Sequence, residues 1–289
     1  MRIAVRFPKT ETQGIFYPML YINNDGCRAG SAVIAAVLVV CLSAAAGVAT
    51  AQENPPATDD ERPGLQAIIA NLPATVAEKV PAEAKLALPA PDAAPSIGDY
   101  MAHMLAVHLR LAGLPTERAG ESVPAANGSA PEELPACYTT LLEQEGAAYF
   151  LLPVLAPADP DGASRVQVHL YTVADGSLVE TIEKSCVIAP PLQQLRGPGQ
   201  PMDARTGDWL VLFRTLFNEV AEAPAPEAMV LRAHAGYLMR AGLWAPAADA
   251  YVELSAGGSG RDFMHHIVCL QLAGRSEAAR KAVAEAIKM

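Results

Sequence analysis

The sequence predicts an α+β protein: a small α/β domain with an antiparallel meander, followed by an all-α helical hairpin module. Two segments with helical spacing of apolar residues, 97–112 and 135–144, precede three segments of strand character at 148–155, 165–173 and 178–188. The last sixty residues match themselves at an offset of 32, which is typical of repeated helix pairs. Helices thus flank a run of consecutive strands, and a second helical part follows.

Length and composition are compatible with this architecture. A chain of 289 residues allows one or two domains. Its 51% hydrophobic content includes 55 alanines, and only 6% is aromatic, so the core is built mostly from aliphatic side chains. The formal net charge of −10 argues against nucleic acid as a partner, because such binding depends on lysine and arginine replacing phosphate counterions.

Residues 1–51 have the pattern of a secretion signal. Arg28 precedes an apolar run over 32–48, and Ala49-Thr50-Ala51 suits a signal peptidase, which places the cut before Gln52. The export prediction puts the protein in the periplasm or cell envelope. The exported chain then carries 17 basic and 29 acidic side chains, a formal net charge of −12.

Two alternatives concern this amino-terminal segment. An uncleaved segment could anchor the chain, because about 20 apolar residues span a bilayer, and this is the sole membrane contact that the sequence predicts. The apolar run also begins unusually far from Met1, so Met19 is a possible true start.

Residues 52–83 are rich in proline and alanine and are predicted to be a linker, with a helical turn or two over 64–71. The α/β domain is expected over 84–221. It opens with a strand at 84–88 and a helix at 97–112, which Ser96 caps and Gly113 ends.

The rest of this domain alternates strands and helices. A short strand at 115–117 precedes the helix 135–144, and Asp159–Gly162 and Asp175-Gly176 are the predicted turns of the meander. A strongly apolar helix over 209–220 is expected to close the domain.

Alternation within the strand 165–173 predicts two unlike faces. Val166, Val168 and Leu170 point to the side expected under the helices, whereas His169 and Tyr171 point to the wetter side. An enzyme or small-ligand protein using this exposed face is the alternative function that the sequence leaves open.

Residues 227–289 resemble tetratricopeptide (TPR) repeats, which are helix-turn-helix units of about 34 residues that commonly bind proteins or peptides. In this pattern small residues stand where two helices cross, glycine stands in the turn, and bulky residues pack between the helices. The residues that match are Ala235, Leu238, Gly242, Trp244, Ala247 and Tyr251 in the first unit and Gly274 and Ala279 in the second.

The segments IGDYMAHMLAVHLRLAGL, LLEQEGAAYFLLPVL and VQVHLYTVADGSLVE resemble the α/β domain at the amino terminus of the TolB translocation protein, and they are similar to the curli-secretion and flagellar outer-membrane lipoproteins. This resemblance covers about 84–221. It implies a bacterial envelope protein. The chain lacks the β-propeller of the first relative and the pore hairpins of the second, so pore formation is not implied.

Three cysteines remain after removal of the signal. An antiparallel arrangement of helix 135–144 and the strands would place Cys137 and Cys186 at the same end, where they could form a disulfide; the alternative is buried thiols. Cys269 lies in an apolar helix and is expected in the core.

No catalytic, cofactor-binding or metal-binding motif stands out. His103 and His108 miss the helical spacing of paired ligands, and adjacent His265 and His266 point apart. The sequence therefore predicts a non-catalytic adaptor without cofactor or metal, which binds a protein or peptide partner through its repeats.

Overall fold

The computed structural model describes residues 62–90, 95–119, 130–156, 164–196, 225–256 and 260–286. The elements follow in the order α1 (Leu65–Ala77), β1 (Leu86–Pro89), α2 (Ile97–Leu111), β2 (Thr116–Ala119), α3 (Ala136–Gln144), β3 (Tyr149–Ala156), β4 (Ser164–Thr172), β5 (Leu178–Cys186), α4 (Pro190–Gln193), α5 (Pro226–Arg240), α6 (Trp244–Ala256), α7 (Gly260–Leu272) and α8 (Ser276–Ala286). The predicted signal 1–51, the turn at 159–162 and the helix 209–220 lie outside the described residues.

The protein is a mixed α+β structure built on a five-stranded sheet in the order β2-β1-β3-β4-β5. β1 is parallel to both of its neighbours, because the crossovers through α2 and α3 each return the chain in the same direction. β3, β4 and β5 pair antiparallel in chain order. The sheet as a whole is therefore partly parallel.

Local sequence explains where these elements begin and end. The Ser96 side chain accepts a hydrogen bond from the Asp99 backbone N–H at 3.0 Å and caps α2, which ends at Gly113 with φ 83°. The β4–β5 turn is closed by Asp175, which accepts hydrogen bonds from Thr172 and Ser177. These bonds to its charged form lower the pKa of Asp175 to about 2.

The two faces of the sheet carry separate apolar clusters. One face packs Leu88, Leu151 and Val168 against α1 and α2. On the other face, Phe150 and Tyr171 pack against α3, with the Tyr138 and Phe150 ring centroids 5.2 Å apart. The sheet is thus covered on both sides at the end where β3 begins.

The helix α1 corrects the linker prediction for part of 52–83. It has thirteen residues rather than one or two turns, and Leu65, Ile69 and Val76 are at most 1% exposed. Apolar residues three and four apart form one stripe that packs against α2, and the proline at 73 is tolerated within the helix. The described part of this segment belongs to the core.

The core continues from the α/β part into the carboxy-terminal helices. α5 packs on α2, and the cluster that covers the sheet also contains Ala235, Tyr237 and Leu238 of α5. From there it extends to Ile267 and Ala279 of α7 and α8. One apolar cluster therefore joins two parts that the sequence predicts as separate domains.

Candidate functional site

The carboxy-terminal helices form two hairpins whose hydrogen bonds repeat at an offset of 32. Gly242 N–H donates to the Met239 carbonyl at 3.1 Å, and Gly274 N–H donates to the Gln271 carbonyl at the same distance. The Leu243–Leu238 and Arg275–Leu270 bonds are equivalent in the same way, as are Ala247–Leu243 and Ala279–Arg275. The two turns therefore have the same backbone hydrogen bonds, which also close α2 at Gly113 and α3 at Gly146.

The residues singled out in the predicted repeat are buried between the helices or lie in the turns that join them. Ala235, Ala247 and Ala279 are fully buried, so the helices approach closely at these points. Gly242 and Gly274 have φ of 73° and 76°, in the left-handed region that glycine adopts without strain. The large motif residues are Leu238, 1% exposed, Tyr251, 3% exposed, and Trp244, which is partly buried.

Tyr251 of α6 fills the space between α5 and α7. Its ring centroid lies 5.2 Å from that of His265, and a Cβ added at Gly236 would stand 3.8 Å from its hydroxyl oxygen. Burial raises the pKa of Tyr251 above its ordinary range, so the phenol stays protonated. Tyr251 is a packing residue of the module rather than an exposed contact.

An ion pair joins the two hairpins beside Tyr251. The Arg232 guanidinium donates from Nε at 2.8 Å and from Nη2 at 2.6 Å to Oδ2 of Asp262, whose side chain is 2% exposed. A two-point contact of this kind is geometrically specific, and it joins α5 to α7. Sequence reasoning missed this pair, because two residues on different helices have no spacing signal.

A buried polar cluster of Ser96, Asp99, Arg118 and Tyr237, which we call the joint, connects α5 to the α/β part. Tyr237 donates its hydroxyl hydrogen to Oδ2 of Asp99 or to the Ser96 carbonyl, each at 2.8 Å, and accepts from the Ser96 N–H at 3.1 Å. Asp99 also pairs with Arg118 at 2.5 Å, with side chains 5% and 10% exposed. Burial raises the pKa of Tyr237 beyond its ordinary range, and neighbouring Asp99 raises it further.

A second set of contacts ties α1, α2 and α5 together. The Tyr100 hydroxyl lies 2.9 Å from Nδ1 of His234, and the Gln66 amide donates to the Tyr100 hydroxyl at 3.2 Å. Burial lowers the pKa of His234 to about 4 and raises that of Tyr100 to about 12. At neutral pH both rings are therefore uncharged, as close packing between helices requires.

The histidines make stability depend on pH. Burial lowers the pKa of His103, His234 and His265 to about 4, whereas in the unfolded chain each titrates near its ordinary 6.5. The unfolded state binds more protons between these values, so the free energy of unfolding should fall as pH decreases from 6.5 to 4. Lowered carboxyl pKa values, such as that of Asp175, act below this window.

Urea unfolding of the purified chain at several pH values measures this dependence. His234→Gln should reduce the loss of stability between neutral pH and pH 4, because one of the depressed titrations is then absent. A wild-type free energy of unfolding that stays constant across the window would contradict the assignment of uncharged, buried histidines.

The sheet face expected to be wet is largely covered. Tyr171 is fully buried and donates its hydroxyl to the Pro131 carbonyl at 2.6 Å, and His169 is 8% exposed with Nδ1 2.9 Å from Thr181 Oγ1. The prediction that both are exposed is wrong, because α3 and the segment before it pack on this face. Arg165 and Gln167, farther along β4, remain half-buried and bind Glu183.

The predicted disulfide between Cys137 and Cys186 does not fit the fold. α3 begins beside the β4–β5 turn, where Leu134 N–H donates to the Gly176 carbonyl at 2.9 Å, so exposed Cys137 lies at that end. Cys186 is buried on the opposite sheet face, at the far end of β5. Eight residues of strand separate it from the turn end, a distance of about 26 Å. A disulfide requires Cα atoms within about 7 Å.

Thiol labelling tests the placement of the cysteines. In the native chain Cys137 should react with iodoacetamide, whereas Cys186 and Cys269, both fully buried, should react only after unfolding. Burial also raises the pKa of the Cys269 thiol, which further slows its reaction. Mass spectrometry of peptides prepared without reductant reads the result, and a peptide linking Cys137 to Cys186 would refute it.

Further features of the described ranges bear on the kind of site. Within those ranges, no three His, Cys, Asp or Glu side chains are grouped so that they could hold a metal ion. None of the helices described there is long and apolar enough to cross a membrane. An open concavity at the α7–α8 turn is lined by residues of both charge signs, among them Arg275, Glu277 and Lys281.

No known protein family, curated protein or solved structure matches this chain.

Proposed function

We propose that this chain is an exported, non-catalytic protein of the bacterial cell envelope, and that residues 227–289 are a TPR-like module that binds a protein or peptide partner. The observation that carries the proposal is the succession of two helical hairpins in which Ala247 and Ala279, 32 residues apart, are both fully buried just after a glycine turn. A repeat of this kind buries the positions that recur from unit to unit and leaves the outer faces of its helices available for binding.

The way the module is attached supports this role. Among the described elements, α5 makes the main contact with the α/β part, through the joint and the His234–Tyr100 pair. The sides of α6 and α7 that face away from the core therefore do not contribute to the contact between the two parts. This arrangement suits an adaptor, because the α/β part holds the module through α5 and leaves the outer sides of α6 and α7 for a partner.

The exposed side chains of the module indicate the chemistry of the partner. Met229 of α5 is 41% exposed and Val252 of α6 is 49% exposed, which is uncommon for large apolar residues. Arg240 and Arg261 are also exposed, and neither has a carboxylate at ion-pair distance within the described residues; the Arg240 guanidinium lies over the Tyr237 ring, 5.1 Å from its centroid. A partner surface or peptide that combines apolar and acidic side chains would satisfy these groups.

Export and the envelope location form part of the same proposal and rest on the apolar run at 32–48 and the small residues at 49–51. The resemblance of 84–221 to envelope α/β domains agrees with this location. No observation favours the small-ligand alternative, since His169 and Tyr171 are buried.

Affinity capture from an envelope extract, followed by mass spectrometry, tests the binding role. The purified chain is compared with Met229→Asp and Val252→Asp, which place a charge on α5 or α6 without touching the core. The control is Thr140→Asp, an exposed position on α3 outside the module. A truncation that removes the module would be a poor comparison, because it also uncovers the α2 surface on which α5 packs.

We expect a defined set of captured proteins that is lost with one of the two module variants and retained with the control. Loss with only one of them identifies the binding face. Capture that is the same for all four proteins would show that these faces of the module are not the binding surface.

A further inference from the structure

β5 is an edge strand of the sheet with an unpaired middle section. β5 is the last strand in the order, and its nine residues pair on one side with β4. The described chain meets this edge at both ends of the strand. Glu133 forms an antiparallel bridge with Ser177 just before it, and beyond it Leu65 N–H donates to the Val187 carbonyl at 3.0 Å and Val187 N–H donates to the Pro63 carbonyl. Within the described ranges, the outward backbone groups between these two contacts, from Val179 to Cys186, meet no second strand.

The side chains along this edge are arranged in a definite order. The register shifts at Leu170/Tyr171, so Val179 forms a bulge and the regular part of β5 begins at Glu180. Glu180, Ile182 and Lys184 lie on the α1 face, opposite Leu170, Val168 and Val166 of β4. Thr181 and Glu183 lie on the other face, beside His169 and Gln167.

A second copy of the chain can add its own β5 to this edge about a two-fold axis. The two strands are then antiparallel, equivalent faces stay on the same side, and the axis must pass through a residue of β5. Each choice of residue fixes every cross-strand pair. The charges of β5 can therefore be compared for each register, because like charges directly opposite each other are unfavourable.

The register centred on Ile182 is the one that pairs opposite charges. It places Glu180 opposite Lys184 of the second copy, and by symmetry it does so twice. Centres at Glu180, Glu183 or Lys184 place that charge against its own copy, and a centre at Thr181 leaves Lys184 opposite Leu178. Lys184 is exposed and has no carboxylate at ion-pair distance among the described residues, whereas Glu180 contacts only Lys79, at 3.1 Å.

We propose that two copies of this chain associate through their β5 edges, antiparallel and centred on Ile182, to form one continuous ten-stranded sheet. The regular ladder runs from Glu180 to Lys184 of each copy, about five residue pairs, and the exposed bulge residue Val179 faces Ser185 of the second copy. Because the ladder is short, the dimer is expected to be weak and to dissociate in the micromolar range. This proposal does not depend on the binding role of the helical module.

Sedimentation velocity of the purified chain from low to high micromolar concentration measures the dimer. Lys184→Glu turns both attractive pairs into repulsive ones and should raise the dissociation constant about tenfold. Glu180→Lys should do the same, and the double variant Glu180→Lys/Lys184→Glu should restore dimerisation, since it only exchanges the two charges. The control Lys281→Glu makes the same charge change on α8, far from the edge.

Circular dichroism and urea unfolding establish that each variant is folded; the exposed positions of Lys184 and Lys281 make this the expected result. A chain that is monomeric at every concentration would overturn the proposal. Occupation of the edge by residues 52–61 or by another protein would give that same result. Equal dissociation constants for Lys184→Glu and the control Lys281→Glu would also overturn the proposal, because the dimer contact would then lie elsewhere.

Discussion

Replacing Asp99 by alanine is expected to lower the free energy of unfolding by about 3–5 kcal/mol, because it leaves Arg118 charged and buried without its carboxylate. The same change removes one acceptor of the Tyr237 hydroxyl at the joint. Both the β2 edge of the sheet and the docking of α5 should weaken together. Urea unfolding followed by tryptophan fluorescence and by circular dichroism measures the two effects.

The neighbouring residue of β2 provides a matched control. Glu117 pairs with Lys85 at 2.7 Å, but its side chain is 58% exposed, so Glu117→Ala should cost at most about 1 kcal/mol. Tyr237→Phe should fall between the two, at about 1–3 kcal/mol, since it leaves buried polar groups of Ser96 and Asp99 with one partner fewer. Equal losses for Asp99→Ala and Glu117→Ala would mean that the buried pair does not stabilise the fold.

Replacing Ile69 by alanine is expected to cost about 2–5 kcal/mol, the usual range for a large aliphatic side chain removed from a closed core. Ile69 is 1% exposed and lies on the face of α1 that packs against α2. A residue in a linker would give almost no change. The substitution therefore separates a core helix from a spacer in one measurement of unfolding free energy.

The control for this experiment lies two residues away on the same helix. Asn71 is exposed, and its side chain donates only to the Ala67 carbonyl of its own helix, so Asn71→Ala should change stability by no more than about 0.5 kcal/mol. If Ile69→Ala behaves like Asn71→Ala, α1 does not contribute to the core in solution.

Both large effects concern residues whose importance depends on distant parts of the chain. Asp99 and Tyr237 are 138 residues apart, and Asp99 and Arg118 are 19 apart on different elements. An acidic residue in the first turn of a helix is ordinary in sequence, because it complements the helix dipole. Its role at the joint follows from the position of α5, which no local pattern specifies.

The position of α1 shows the same division. Its apolar stripe was readable at Leu65, Ile68 and Ile69, but the surrounding prolines favoured an extended segment. Burial against α2 outweighs that local preference. The wrong position predicted for Cys137 has a similar cause. The hydrogen bond from Leu134 to Gly176 holds α3 at the turn end of the sheet, and no local sequence pattern predicts that bond.

The sequence by itself determined the features that depend on neighbouring residues. Apolar spacing and capping set α2 to within one residue, and the 32-residue repeat located both glycine turns, because local hydrogen bonds close within a few residues. Only the tertiary structure decided the parallel pairing of β1, the Arg232–Asp262 ion pair, the joint and the unpaired edge of β5. These contacts join residues far apart in the chain, and their energies arise only when burial brings those residues together.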